Sequence, residues 1–268
     1  MMDPTISTWL QLIARWAHVV AGVLWIGFLF FFALVQMQAL DAMLEGRREA
    51  ARQLMPRGLW WFRWMAALTG FTGLILLWLV YYLGGILYDE AGDASYDSLV
   101  IAAIGALVVV VAYDWISGHV ERPRIAHAVS ILLLATTYWL FDGLAGFNGR
   151  AIWIHVGSVM GLALLVNVWV RVWPAARKKV LPALESGTPP DPVAMKLIAT
   201  RARRSVYIAV PLLFVMISNH YPVLYGSALH PLYFGIMITI GFLVAAAMLK
   251  RASILTLPIP DKVERKVD

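Results

Sequence analysis

The sequence predicts an all-α fold: a polytopic membrane helix bundle of about seven transmembrane helices, N-terminus outside and C-terminus inside. Three observations carry this expectation. Of the 268 residues, 61% are hydrophobic and 14% charged, against roughly 45–50% and about 25% in a soluble domain, which leaves too little polar surface to coat a globule. Seven stretches approach the roughly 20 apolar residues that a helix rising about 1.5 Å per residue needs to cross the hydrocarbon. The basic residues are also sorted, with all but Arg15 and Arg150 of the 22 Lys and Arg falling on one side of those stretches. Under the positive-inside rule that side is cytoplasmic.

The first stretch, Trp9–Val35, has an apolar run too long for a signal peptide, and no small-residue cleavage site follows before Asp41, so it is read as a permanent helix. A connection with Arg47, Arg48, Arg52 and Arg57 leads, past Arg63, into the second stretch, Trp60–Leu83. Asp89, Glu90, Asp93 and Asp97, with no base among them, place the next connection outside. Ser98–Ile116 is the third stretch, Arg122 and Arg124 mark a cytoplasmic turn, and Ile125–Phe141 is the fourth. After the fifth, Ala151–Trp173, the polar run from Pro174 to Arg204 carries most of the remaining charge. It contains the breaker Thr188-Pro189-Pro190-Asp191-Pro192 and is expected to be a cytoplasmic loop. Ser205–Tyr221 and Pro231–Leu249 complete the bundle, so residues 1–250 form one membrane domain and 251–268 a cytoplasmic tail. Tryptophans fit interfacial belts: Trp9, Trp16, Trp78, Trp139 and Trp153 towards outer helix ends, Trp60, Trp61, Trp64, Trp115, Trp169 and Trp173 towards inner ones, with Trp25 near mid-depth.

The chain has no cysteine, which excludes disulfides, Cys-ligated zinc, iron–sulfur clusters and c-type haem attachment. The formal charge of +6 is absorbed by the cytoplasmic collar, and no nucleic-acid partner is called for. Ionisable groups at membrane depth are costly and are functional candidates by default. His18, His155, His220 and His230 stand on four different helices, all in the expected outer half, while His119 and His127 flank the cytoplasmic third connection. Imidazoles held on packed apolar helices are what axial ligation of haem b requires. His18, His155 and His220 are therefore candidate iron ligands, and His230 and Arg15 further cofactor-binding candidates. Arg15, His18, Gly22 and Trp25 share one helix face, where Gly22 would clear space for a porphyrin and Arg15 would reach a propionate. The plainer alternative makes each a buried histidine bonded to a neighbouring helix. Gly157 and Gly161 near His155 have the spacing of close helix packing. Asp114 is the carboxylate well inside a predicted span, with Arg63 as its expected ion-pair partner. Asn167 is expected to bond between helices, and Asn219 to orient His220 or meet a polar ligand.

Three segments give the chain a family likeness. Arg15-Trp16-Ala17-His18 leading to Trp25-Ile26-Gly27, His155-Val156-Gly157 leading to Asn167-Val168-Trp169, and Ser218-Asn219-His220-Tyr221-Pro222 resemble the membrane domain of bacterial membrane-bound urate hydroxylases, the urate oxidase N-terminal family. The resemblance spans nearly the whole chain. It implies a domain of the bacterial inner membrane that oxidises urate towards 5-hydroxyisourate and passes electrons to a cytochrome c, which familiar members carry fused beyond one further helix. With no cysteine and no eighth apolar stretch here, the expected acceptor is a separate cytochrome c or other electron-transfer subunit. Two other functions compete: a non-catalytic b-type cytochrome subunit of a larger respiratory or photosynthetic complex, and transport or metal handling by the outer histidines. The last is disfavoured because almost no polar track crosses the spans.

Overall fold

The computed structural model describes residues 3–36, 45–89, 95–120 and 122–254; the side chains of 45–50, 123 and 254 are outside the description. Among the described residues there are helices and turns and no strand. Helix α1 spans Pro4–Phe30. Asp3 caps it by accepting from the Thr5 N–H at 2.7 Å, and Pro4 occupies a first-turn position where a missing N–H costs nothing. Helices α2 (Glu45–Leu77), α3 (Tyr96–His119) and α4 (Pro123–Trp139) follow. Helix α5 begins at Gly149 and continues through successive turns to Glu185. Helices α6 (Pro192–Ser218), the short α7 (Pro222–Tyr225) and α8 (His230–Ile254) complete the chain.

Six of these segments are long and apolar enough to cross a membrane: Pro4–Gln36, Ala51–Tyr82, Tyr96–His119, Arg124–Leu144, Gly149–Glu185 and His230–Ser253. This is a membrane protein. Each contains one of the predicted stretches, or all but its last residue. The other predicted stretch, Ser205–Tyr221, lies in α6 except for its last three residues, and there Arg201, Arg203 and Arg204 confine the uncharged run to Ser205–Ser218, roughly 21 Å of helix. The apolar window of α5 is 67% buried against 22–33% for the other five, so α5 is the central helix. Helices α2, α3 and α6 all pack on it, α1 lies along α2, and α8 along α6.

Two close approaches fix this arrangement. A Cβ on Gly157 would lie 2.9 Å from both Val215 Cγ1 and Met216 Cε, so its lack of a side chain brings α5 against α6. A Cβ on Gly241 would lie 2.7 Å from Pro211 Cβ. Helix α8 thus seats a glycine on the proline ring of α6, which sits inside that helix. The bundle has two polar ends. One, here the upper end, holds the starts of α1, α3, α5 and α8 and the ends of α2, α4 and α6; the lower end holds the rest.

Two sequence expectations are corrected. The run from Pro174 to Arg204 is not a loop, since α5 continues to Glu185 and α6 starts at Pro192, leaving residues 186–191 as the connection. The chain absorbs Pro174 and Pro182 because each follows a widened, π-helical turn, Asn167–Val172 and Ala176–Val180, which relaxes the hydrogen-bond ladder a proline would break. The breaker at Thr188 to Pro192 does end the helix. Trp153 is not interfacial but 1% exposed, packed edge-on against Phe234 with ring centroids 5.2 Å apart. The tail expected at 251–268 lies beyond the description from residue 255 onward.

Candidate functional site

The upper end is tied together by Asn148. Its Oδ1 accepts from the Ala151 N–H at 2.9 Å and caps α5. Its Nδ2 donates to the carbonyls of Ile86 at 3.2 Å and Tyr88 at 3.0 Å, and its backbone N–H donates to Leu87 at 2.8 Å. The chain leaving α2 is thereby fastened to the start of α5. Gly85 and Gly146 make the two sharp turns in this region at φ 66° each, a backbone region that glycine enters without steric cost.

This fastening brings α5 and the end of α2 onto one side chain of α6. Asn219, at the end of α6, accepts through Oδ1 from Arg150 Nε at 2.7 Å and from the Tyr81 hydroxyl at 2.9 Å. Tyr225 of α7 donates to the Asn219 carbonyl at 3.3 Å, and Arg15 of α1 is an electrostatic neighbour of Tyr81. Among the described residues no carboxylate pairs with Arg150. The Arg150 guanidinium also lies within hydrogen-bonding reach of the Tyr81 hydroxyl. A guanidinium, an amide N–H₂ and a phenol so gathered can hydrogen-bond a planar anion bearing carbonyl oxygens. His220, next in the chain, is exposed and is not oriented by Asn219.

The histidines do not converge. His18 meets α2 near mid-depth of the bundle, its Nδ1 2.9 Å from the Thr69 carbonyl and 3.2 Å from Thr72 Oγ1. His155 meets α2 at Tyr81 and Tyr82, roughly two and a half turns further along. Its Nδ1–H donates to the Ala151 carbonyl at 2.7 Å, which leaves Nε2 to accept from the Tyr82 hydroxyl at 3.0 Å. Four aromatic rings surround this neutral imidazole, Phe147 nearest at 4.7 Å between centroids and Tyr81, Tyr82 and Phe141 beside it. His230 engages the Tyr138 hydroxyl through Nδ1. Among the described residues no three His, Cys, Asp or Glu gather to hold a metal ion.

The same geometry tests haem b. A porphyrin needs a slot and an imidazole nitrogen facing it. Among the described residues His18 Nε2 has no hydrogen-bond partner, but α2 lies against its ring: a Cβ on Gly73 would meet His18 Cε1 at 2.9 Å. His155 borders a cavity of about 540 Å³, yet both its nitrogens are hydrogen-bonded within the protein. In this arrangement neither His18 nor His155 offers both a free nitrogen and an open slot.

At the lower end Asp114 accepts two bonds from Arg171 and one from Arg201 Nη1 at 3.0 Å. The expected Arg63 partnership is replaced: the Arg63 guanidinium lies 3.8 Å over the Trp173 ring, with Trp64 and Trp169 flanking it. Asn167 does bond between helices as expected, donating to Ser205 at 2.9 Å and accepting from Arg201 at 3.4 Å. His119 is exposed and stacks on Trp115, whereas His127 is half-buried against Tyr207.

Sequence reasoning missed Tyr81, Tyr82 and Arg150 as site residues. The available signal was the Tyr81-Tyr82 pair closing an apolar helix, both of which turn inward because they lie on the widened turn Trp78–Tyr82. No curated protein and no solved structure matches the chain. A family model described as urate oxidase N-terminal matches residues 43–255, a stretch that holds Tyr81, Arg150, His155 and Asn219 but not α1. With most of its length matched, including the residues of the upper polar cluster other than Arg15, the chain belongs to the urate oxidase N-terminal family.

Proposed function

We propose that this domain is a urate-oxidising membrane unit that recognises urate at the upper cluster of Arg150, Asn219 and Tyr81. The observation that carries the reading is an Arg150 guanidinium held by Asn219 and facing no carboxylate among the described residues. Urate at neutral pH is a planar monoanion edged with carbonyl oxygens and ring N–H groups. It can accept from the Arg150 Nη groups and the Asn219 amide while donating to the Tyr81 oxygen. Oxidation to 5-hydroxyisourate takes its hydroxyl oxygen from water and releases two electrons and two protons. A separate cytochrome c would receive the electrons one at a time, two molecules per urate.

The proposed placement is the bacterial inner membrane, with the upper end outward. Helix α6 serves as a seventh crossing, and the chain as a whole runs N-terminus out and C-terminus in. Arg201 and Arg204 are compatible with that crossing because they lie towards its lower end, bonded to Asp114 and to the carbonyls of Ser117 and Val120. The basic collar then lies inside.

The test is equilibrium binding of isotopically labelled urate to the purified chain in lipid nanodiscs. Saturable binding is expected, weakened at least about tenfold in Arg150→Gln, the range for a hydrogen bond to a charged group. Absence of saturable binding, or wild-type affinity in Arg150→Gln and Asn219→Ala together, would overturn the reading.

A further inference from the structure

Helices α2 and α3 are each packed on α5, and the gap between them is a cavity of about 540 Å³. Its rim faces lipid: Leu74 is 48% exposed, Trp78 50% and Leu107 64%. Its floor is the buried helix α5, from His155 to Val166, roughly 16 Å along the axis. The walls are aliphatic along most of that length and aromatic at the upper end, where Trp78, Tyr82 and Phe141 stand. No charged residue lines it. The polar groups are the Tyr82 hydroxyl, the His155 imidazole and Ser158, whose hydroxyl is already donated to the Ile154 carbonyl at 2.9 Å.

We infer that this cavity binds an isoprenoid quinone, ring at the Tyr82–His155 end and tail along α5 towards the lipid. A phospholipid headgroup is disfavoured because nothing charged is present to meet its phosphate. A flat ring is favoured by the aromatic walls, which offer stacking surface. The hydrogen-bonding pair distinguishes a quinone from a simple alcohol. The Tyr82 hydroxyl, turned from His155, donates to a quinone carbonyl. His155 Nε2, kept an acceptor by the Nδ1–H bond to Ala151, receives the hydroxyl of the reduced ring. One pair thus serves both redox forms of the ligand, and the lateral opening admits it from the bilayer. The inference concerns binding alone and stands without the urate reading.

The test uses the full chain in nanodiscs with no urate added. A photoreactive azidoquinone is the probe, with decylubiquinone and dodecanol as competitors. Labelling is expected in peptides carrying Leu74 to Tyr82 and Ala102 to Val110, protected by decylubiquinone and not by dodecanol. Tyr82→Phe, which keeps the ring and removes the donor, should raise the half-protecting concentration about tenfold. Ala103→Trp, at an exposed rim position where bulk does not disturb the core, should abolish labelling. Unsaturable labelling, equal protection by dodecanol, or wild-type behaviour in either variant would overturn the inference. Because Arg150→Gln is the probe for urate, loss of either site is read independently of the other.

Discussion

At the scale of single residues, burial decides how each polar group is used. Arg201 is buried with Asp114 as its ion-pair partner. Removing one member of a buried pair leaves an uncompensated charge, at a cost of about 3–5 kcal/mol. Asp114→Asn is therefore expected to lower the thermal unfolding midpoint in detergent sharply. Asp114→Asn combined with Arg201→Met should recover much of that loss, since the charge goes with its partner. His155 shows the opposite economy of design, a core histidine satisfied entirely by a backbone carbonyl and a phenol. Tyr82→Phe removes one of its two bonds, so a modest destabilisation of about 1 kcal/mol is expected by the same unfolding assay. A plain buried histidine was one of two readings open from the sequence. The bond from His155 to α2 depends on Tyr82, which is 73 residues away in the chain.

Among the elements, the bundle is held by glycine contacts and by capped helix starts. Gly241→Ala would push a methyl into the Pro211 ring and backbone, with the nearest backbone atom at 2.9 Å. Overpacking of this kind costs about 1–3 kcal/mol, and the loss should appear as separation of α8 from α6 in limited proteolysis before global unfolding. Asp191 caps α6 outside the membrane by accepting from the Val193 N–H at 2.8 Å. Lys179, bonded to it at 2.9 Å, and then the Val193 N–H hold its carboxyl below the ordinary carboxylate range. A group depressed in the folded state contributes fully above its unfolded pKa and loses that contribution as pH falls through the folded one. Wild type should thus protect the first-turn amides of α6 more than Asp191→Asn at pH 6, and the difference should shrink as pH falls below the ordinary carboxylate range, as read by hydrogen exchange.

For the whole molecule, the absence of cysteine makes single-cysteine accessibility a clean probe of orientation. In intact cells Thr5→Cys, at the upper end, is expected to react with a membrane-impermeant maleimide. Ser186→Cys, in the 186–191 connection, should react only after permeabilisation. The reverse pattern would invert the bundle and place the Arg150 cluster in the cytoplasm.

Composition and apolar run length determined the all-α membrane class and the approximate place of every long helix, because crossing hydrocarbon requires a fixed length of uncharged helix. The break at Thr188 to Pro192 was legible for a similarly local reason. The path from Pro174 to Glu185 was not, because a proline reads as a stop unless a widened turn ahead of it absorbs the missing bond, and that turn depends on packing. The candidate site was legible in part: Asn219 and Arg15 stood out as polar groups in apolar surroundings, and Asn167 was rightly read as a link between helices. Which groups meet was decided by the tertiary structure alone. Asn148 folds the end of α2 onto α5 and so delivers Tyr81 to Asn219 and Tyr82 to His155. Periodicity places a side chain on a face of its own helix, but the facing partner depends on how two helices are rotated and shifted against each other. Here that rotation is set by Gly157, Gly241 and the Asn148 fastening.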